Sequence, residues 1–223
     1  MQLTRERIIT AAIELIEQEG PDALSMRRIA AELGSGVMSL YNHVPSKAVL
    51  LDGVAERVLS GIDFTTEPGM NWEDQVRAQA RAFRQIARAY PRCTMVVVSR
   101  PVNSAAAMLP MEHALATLRD AGFSAEEAVR GVRAFIAYII GSLLREVGVS
   151  PGLGPQRPLN QDPATLSADR PLHLNPSEFP QVVGVSEELM NRDHDADFEF
   201  GLNLLVRAVA ELRSAARADP AQP

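Results

Sequence analysis

The sequence predicts an all-α protein of 223 residues. Apolar residues recur at intervals of three and four through most of the chain, which is the spacing of one helix face. Residues that cap helices precede these segments, and glycine or proline follows them. No stretch alternates between apolar and polar residues for long enough to indicate a strand. We therefore expect roughly ten helices, arranged as a small N-terminal domain and a larger helical domain.

Four helices are predicted near the N-terminus. Thr4, Ser25 and Ser46 are placed to cap three of them, because their side-chain oxygens can accept from free amides of the first helical turn. Gly34 supplies the left-handed residue that ends the second helix, and Pro45 separates the third from the fourth. The predicted spans are 4–19, 26–33, 37–43 and 47 to about 63.

The rest of the chain contains longer helical patterns and one irregular stretch. The predicted helices are 72–90, 92–98, 104–121, 125–147, 186–192 and 195–217. Pro110 is expected to kink or divide the third of these. Residues 148–180 contain seven prolines and three glycines, which favours an irregular loop. The expected organisation is a helix-turn-helix domain at 1–46, a connecting helix at 47–63, a ligand-binding and dimerisation domain at 64–217, and a tail at 218–223.

Composition excludes several classes of protein. With 46% apolar and 22% charged residues, the chain is neither disordered nor fibrous. The single cysteine cannot form an intramolecular disulfide, and the N-terminus does not resemble an export signal, so we predict a cytoplasmic protein. The most apolar run, 134–144, is about half the length of a membrane span, and no membrane partner is expected. A net charge of −6 gives no global attraction to nucleic acid.

The segment 26–43 has the pattern of a helix-turn-helix, in which the second helix enters the major groove of DNA. Leu40 would anchor that helix in the domain. Side chains suited to base edges are Val37, Met38 and Ser39, and those suited to phosphates are Tyr41, Asn42, His43 and Lys47. Residues 1–47 hold five basic and six acidic side chains, so the domain is not basic overall. A small helical packing unit without DNA contacts is the alternative interpretation.

Several motifs resemble the TetR family of transcriptional regulators. The first 60 residues carry the resemblance through Ile29-Ala30, Leu33-Gly34, the run 40–44, Lys47 and the run 50–52. Later motifs resemble the tetracycline-repressor subgroup, namely Trp72, Phe83-Arg84, Arg100-Pro101, the run 122–124 and the run 200–202. The resemblance implies a homodimer that represses transcription from a palindromic, double-stranded DNA operator and leaves it when a small-molecule effector binds.

The resemblance also implies site residues. Arg27 joins the seven residues above as a DNA contact, although Val37 and Met38 stand where the repressors have glutamine and proline. The counterparts of ligand-contacting positions are Gln79, Phe83, Arg100 and Met111, and His113 is a further candidate, with a surface histidine as the alternative. Val96 replaces the metal-binding histidine of these repressors, and Arg145 replaces an acid that helps to hold the metal. We therefore expect an apolar or aromatic effector without a metal or another cofactor.

Two helices are predicted to form a dimer interface. The run 134–144 is apolar on nearly all sides, and the last helix has apolar residues at heptad spacing. Paired across a twofold axis, these helices would form a four-helix interface. The expected interface residues are Phe135, Ile139, Phe198, Leu202, Leu205 and Val209. The core of a monomer is the alternative for both helices.

Two other functions remain open at this stage. A dimeric DNA-binding regulator without a ligand would differ only in having its cavity filled by side chains. An all-α enzyme would need a nucleophile, a base and an orienting group together, and the sequence shows no such set. Cys93 has no histidine nearby in sequence. We predict a regulator and not an enzyme.

Overall fold

A computed structural model describes residues 2–65, 67–99, 105–146, 174–190 and 193–218. Over these ranges the chain forms eleven α-helices and one short 3-10 helix, with no strand. The helices are α1 (Arg5–Glu19), α2 (Met26–Glu32), α3 (Val37–Tyr41), α4 (Lys47–Leu59), α5 (Trp72–Ala89), α6 (Pro91–Val98), α7 (Ala105–Asp120), α8 (Ala125–Glu146), α9 (Pro180–Gly184), α10 (Ser186–Met190) and α11 (His194–Ala218). The 3-10 helix is Pro21–Ala23. The predicted all-α fold is confirmed.

The N-terminal domain forms around one apolar core that α1 to α4 share. The predicted caps are present: Thr4 accepts from the Arg7 amide, Ser25 from Arg28 and Ser46 from Val49. Two helices end earlier than predicted. After α3, the amides of residues 43 and 44 both donate to the Leu40 carbonyl, which turns the chain and buries Val44. After α4, a turn from Leu59 brings Ile62 into a second apolar cluster.

The larger domain packs α5, α7, α8 and α11 around a core that contains Trp72, Phe123, Phe135 and Phe198. Pro110 does not divide the helix, because α7 continues through it. Pro110 lies only in the second turn, so the bond that it cannot donate is one near the helix end. No helix in the described ranges is both long and apolar enough to span a membrane.

Residues 147–173, most of the predicted irregular stretch, lie outside the described residues. Within 174–190 the chain forms α9 and α10. The sequence predicted α10 but missed α9, whose first residue is Pro180. Proline favours the first position of a helix, because its fixed φ suits the helix and its missing amide would have no partner there. Val182 of α9 is exposed, and so are Phe179 and Val185, which flank that helix.

The N-terminal domain meets the rest of the chain at α6, which packs against α1, α4 and α5. Cys93 and Val96 belong to the core of the N-terminal domain. Val97, the next residue, belongs instead to the cluster that also contains Leu59 and Ala107. The short helix α6 is therefore part of both domains.

Candidate DNA-binding surface and ligand cavity

The chain reverses between α2 and α3 in the way that a helix-turn-helix requires. Gly34 adopts a φ of 61°, in the left-handed region that favours glycine. The amides of Gly34 and Ser35 donate to the carbonyls of Ala31 and Ala30, which closes the end of α2. Leu40 has no exposed surface, so it fixes α3 to the domain as the sequence predicted. The opposite face of α3 is thereby directed away from the core.

That opposite face is exposed. Met38 is 75% exposed, and Ser39, Tyr41 and the two residues that follow α3 are exposed as well. Val37 is different, because it lies half-buried against the core of the domain. Of the three side chains predicted to reach base edges, Met38 and Ser39 are thus more accessible than Val37.

The basic side chains near α3 differ in whether they already have a partner within the chain. Arg28 forms an ion pair with Glu19 at 2.6 Å. The Lys47 ammonium donates to the Leu24 carbonyl at 2.6 Å, which holds the start of α4 against the chain before α2. Two of its three protons remain for other acceptors. Arg27 is exposed, and no partner for its guanidinium occurs within the described chain. Arg27 is therefore the cation most available to a phosphate.

An apolar cavity of about 470 Å³ lies between the end of α4 and helices α5 to α8. Its wall includes the aromatic rings of Phe64, Phe83 and Phe135 and the flexible side chain of Met108. Among the described lining residues, Gln79 is the only one with a polar side chain. This size and lining are typical of a small-molecule site.

The predicted ligand residues are only partly brought together. Gln79, Phe83 and Met111 line the cavity, whereas Arg100 lies outside the described residues. The prediction for His113 needs correction, because its exposed ring does not line the cavity. It stacks against the outside of Phe64, with ring centroids 4.5 Å apart and planes at 17°.

Part of the cavity wall was not predicted from the sequence. Phe64 follows α4 in a segment without helical periodicity, so no pattern indicated it. Phe135 and Ile139 of α8 also line the cavity, although they were predicted at a dimer interface. The signal for them was present, since a helix that is apolar on nearly all sides needs more than one apolar neighbour.

The predicted dimer interface also needs correction. Phe198 and Leu202 are 0% exposed and pack inside their own chain. The other interface candidates lie in the same core, where Phe135, Ile139 and Val209 are buried and Leu205 is partly buried. The heptad stripe of α11 therefore packs mainly on the chain's own α5 and α8.

A second apolar face of α11 is exposed instead. Phe200 is 69% exposed, Leu204 52% and Leu212 66%. On the neighbouring α8, Val129 is 37% exposed and Ile136 36%, and Ile136 also lines the cavity. Gly201 lets α8 and α11 approach closely, because the Tyr138 ring occupies the space that a larger side chain would need. Both helices of this pair thus expose apolar side chains.

Ion pairs hold the end of α8 against the start of α11. The buried Arg84 guanidinium contacts Glu146 at 3.1 Å, Asp195 at 2.8 Å and the His194 carbonyl at 3.0 Å. Its hydrogen bond lowers the pKa of the Asp195 carboxyl. Arg145 pairs with Asp197 of α11 at 3.0 Å and does not line the cavity. These contacts anchor both sides of the segment 147–193.

The N-terminus of α6 is capped from another helix. Tyr90 precedes α6 but makes no side-chain cap, and Pro91 has no amide proton. The next two amides donate to the Glu17 carboxylate of α1, Cys93 at 2.7 Å and Arg92 at 3.3 Å. The Arg92 guanidinium also donates to the carbonyl of Gln18 at 2.7 Å. The end of α1 and the beginning of α6 are thereby held together.

The thiol of Cys93 lies in this contact between α1 and α6 and has no exposed surface. Burial raises its pKa, so the thiol stays protonated. A nucleophilic cysteine needs the thiolate form and access to a substrate. Cys93 has neither and does not line the cavity. Val96, where the family's metal-binding histidine would stand, is buried in the same contact.

Comparisons with known proteins agree with this architecture. Residues 8–54 match the family model of bacterial regulatory proteins of the tetR family, and residues 65–212 match the tetracyclin repressor-like C-terminal domain. The chain is 31% identical over 223 residues to the HTH-type transcriptional repressor DrrR1 of Streptomyces coeruleorubidus, covering 98% of this chain and 82% of that relative. It is 31% identical to the class C tetracycline repressor protein of Escherichia coli, with 95% and 93% covered.

A solved structure supports the same assignment. The TetR family protein ActR of Streptomyces coelicolor, in complex with actinorhodin, matches with a TM-score of 0.76 and 29% identity over 95% of this chain and 98% of that one. The two family models together span both domains. The chain therefore belongs to the TetR family of bacterial regulatory proteins, with the C-terminal domain of the tetracycline repressor-like group.

Proposed function

We propose that the chain is a transcriptional repressor that binds a palindromic operator as a homodimer and leaves it when an apolar effector enters the cavity. One observation carries the proposal: the cavity wall includes Val97 and Val98 of α6, and the other end of that helix is bound to α1 of the DNA-binding domain. A filled interior would favour a regulator without a ligand. A cavity of about 470 Å³ favours a ligand-responsive one.

The DNA-binding part of the proposal rests on α3. Met38 suits an apolar contact such as a thymine methyl, and the Ser39 hydroxyl can donate or accept at a base edge. Around them, Arg27, Tyr41 and Lys47 offer donors for phosphate oxygens. These phosphate contacts would position α3 along the duplex, and the contacts of α3 with the bases would select the sequence.

The homodimer rests on the exposed apolar side chains of α8 and α11, which are Val129, Ile136, Phe200, Leu204 and Leu212. A monomer would leave these side chains in water, which is costly. Two copies packed face to face would form a four-helix interface with twofold symmetry. The symmetry would place both α3 helices on one side, at half-sites roughly 34 to 36 Å apart.

The effector part rests on the shared helix α6. A ligand in the cavity would contact Val97 and Val98 and displace this end of α6. Because α6 also packs on α1 and α4, the displacement would change the distance between the α3 helices of the two subunits, which are the helices that contact the bases. Coupling of this kind is worth about 1 to 3 kcal/mol, which lowers DNA affinity about 5- to 150-fold. ActR in complex with actinorhodin supports ligand binding by this type of domain.

Two variants test the proposal. Leu204→Glu places a charge in the proposed interface, and Met38→Glu places one on the reading helix. The oligomeric state is measured by light scattering, and DNA binding by a gel shift with the DNA that flanks the chain's own gene. We expect Leu204→Glu to abolish both the dimer and the shift, whereas Met38→Glu stays dimeric and loses only the shift.

Each variant is the control for the other. A wild-type protein that is monomeric at micromolar concentration would refute the homodimer. A dimer that retains no double-stranded fragment at low salt would refute the DNA-binding part, because phosphate contacts are strongest there. Unchanged DNA affinity across many cavity-filling compounds would refute the effector part.

A further inference from the structure

The amide of Gln79 is held in one orientation by a residue behind it. Its Nε2 donates to Thr117 Oγ1 at 2.7 Å, and Thr117 Oγ1 donates to the His113 carbonyl at 3.0 Å. Thr117 is buried and does not line the cavity. Gln79 does line it. The amide therefore has one atom turned into the protein and one left for the cavity.

The Thr117 hydroxyl decides which atom that is. A hydroxyl has a single proton, and this one is used on the helix carbonyl of His113. Its oxygen is then available only as an acceptor, so it pairs with the NH2 group of Gln79 and not with the amide oxygen. Because Gln79 lines the cavity and its NH2 group is turned to Thr117, Oε1 is the atom of the amide that remains for a ligand in the cavity.

The rest of the described lining is apolar and uncharged. An apolar ring system fits such a wall, because it has no polar groups that would lose their hydration there. A ligand that carries a hydroxyl or an N–H also satisfies the Gln79 oxygen, whereas one that presents only acceptors leaves that oxygen unpaired.

We propose that the cavity selects a largely aromatic molecule with one hydrogen-bond donor, and that the molecule donates this hydrogen bond to Gln79 Oε1. The aromatic preference follows from Phe83 and Phe135, which line the cavity from α5 and α8. This inference rests on the proposed effector-binding role of the cavity and adds the chemical class of the effector.

Two compounds on one ring frame test the selection. 9-Phenanthrol presents a donor, whereas 9-methoxyphenanthrene presents an acceptor only. Calorimetry with the full-length protein, in the absence of DNA, gives their dissociation constants. We expect the phenol to bind about 3- to 10-fold more tightly than the ether, the range of one neutral hydrogen bond.

Two variants separate the roles of the amide and of the residue behind it. Gln79→Leu removes the acceptor, so the phenol and the ether should bind equally. Thr117→Val keeps the amide but frees it to rotate, so the ether should gain on the phenol although Gln79 is intact. A general loss of packing would weaken both compounds together and would leave their ratio unchanged.

Several results would overturn the inference. They are an ether that binds as well as the phenol, a ratio that Thr117→Val does not change, or no binding of either compound. Because these measurements contain no DNA, they are independent of operator binding. A protein that selects the phenol but retains no DNA would refute the proposed regulator and leave the ligand class standing.

Discussion

Glu17→Ala removes the cap that α1 provides to α6. In the native protein the Glu17 carboxylate accepts from the amides of Cys93 and Arg92, and no side chain of the residue preceding α6 replaces it. Both amides are part-buried, so they would be left with few alternative partners. The substitution shortens a single side chain near a helix end and leaves the DNA-contacting and cavity-lining side chains in place.

The magnitude follows from the two bonds. The bond to Cys93 is short, at 2.7 Å, whereas the bond to Arg92 is 3.3 Å and contributes little. A hydrogen bond to a charged group contributes about 1.5 to 3 kcal/mol, and Glu17 is partly exposed, so we take about 2 kcal/mol. That corresponds to a roughly 30-fold increase in the equilibrium constant for opening the contact between α1 and α6. It also predicts a melting temperature lowered by about 4 to 8 °C for a chain of this length.

Cys93 provides the assay, because it is the only cysteine in the sequence and its thiol is buried between α1 and α6. Its native thiol should react with DTNB only when this contact opens. We expect Glu17→Ala to accelerate labelling about 30-fold without denaturant. Glu17→Gln keeps an acceptor oxygen and should give a smaller increase. Glu14→Ala, an exposed position on the same helix, is the matched control and should label at the wild-type rate.

The same variant tests the coupling between the two sites. Glu17→Ala should still bind DNA and still bind the effector, since neither surface contains Glu17. The effector should release DNA less completely, because α6 is no longer tied to α1. Wild-type labelling of Cys93 in Glu17→Ala would refute the capping argument. Accelerated labelling with undiminished release of DNA would refute the role of this contact in coupling.

Three further predictions concern stability. Hydrogen bonds from Arg81 lower the pKa of Glu199 below its ordinary value of 4.5. The contribution of this pair to stability is present above pH 4.5 and is lost as the pH falls through the lowered pKa. Glu199→Gln should therefore make the urea midpoint less sensitive to acid between pH 5 and 3, and an equal sensitivity would contradict this prediction. Gly201→Ala should lower the urea midpoint, because the added carbon would overlap the Tyr138 ring, and Tyr138→Leu in the same chain should restore part of the loss. Gly34→Ala should cost about 1 kcal/mol in thermal unfolding, because Gly34 has a φ of 61°, and an unchanged melting temperature would show that the turn can relax.

Local signals made much of the fold predictable. The capping oxygens of Thr4, Ser25 and Ser46 and the glycines that follow helices act within a few residues, so the sequence shows them directly. The early end of α4 was not predictable in this way. Ile62 leaves the helix to join Leu59 in a cluster with side chains of α6 and α7, and that gain comes from residues distant in sequence.

The candidate sites were predictable to different degrees. The burial of Leu40 and the exposure of the side chains around it follow from the period of one short helix, so the DNA-binding surface could be predicted from the sequence. The period of α11 indicates which stripe is buried but not what buries it. Phe198 and Leu202 accordingly pack inside their own chain, while Phe200 and Leu204 form the exposed face. Long-range packing decides between a core and an interface.

The position of α6 explains how the ligand cavity can influence the DNA-binding surface although the two sites are separate. It has eight residues; Cys93 near its start is packed in the core of the N-terminal domain, and Val98 at its end lines the cavity. Close-packed regions do not deform gradually, so a short helix that is packed at both ends cannot move at one end without disturbing the other. A longer connection would absorb such a movement by bending. The shortness of α6 and its cap from Glu17 are therefore the features that would convert the filling of an apolar cavity into a change in the spacing of the reading helices.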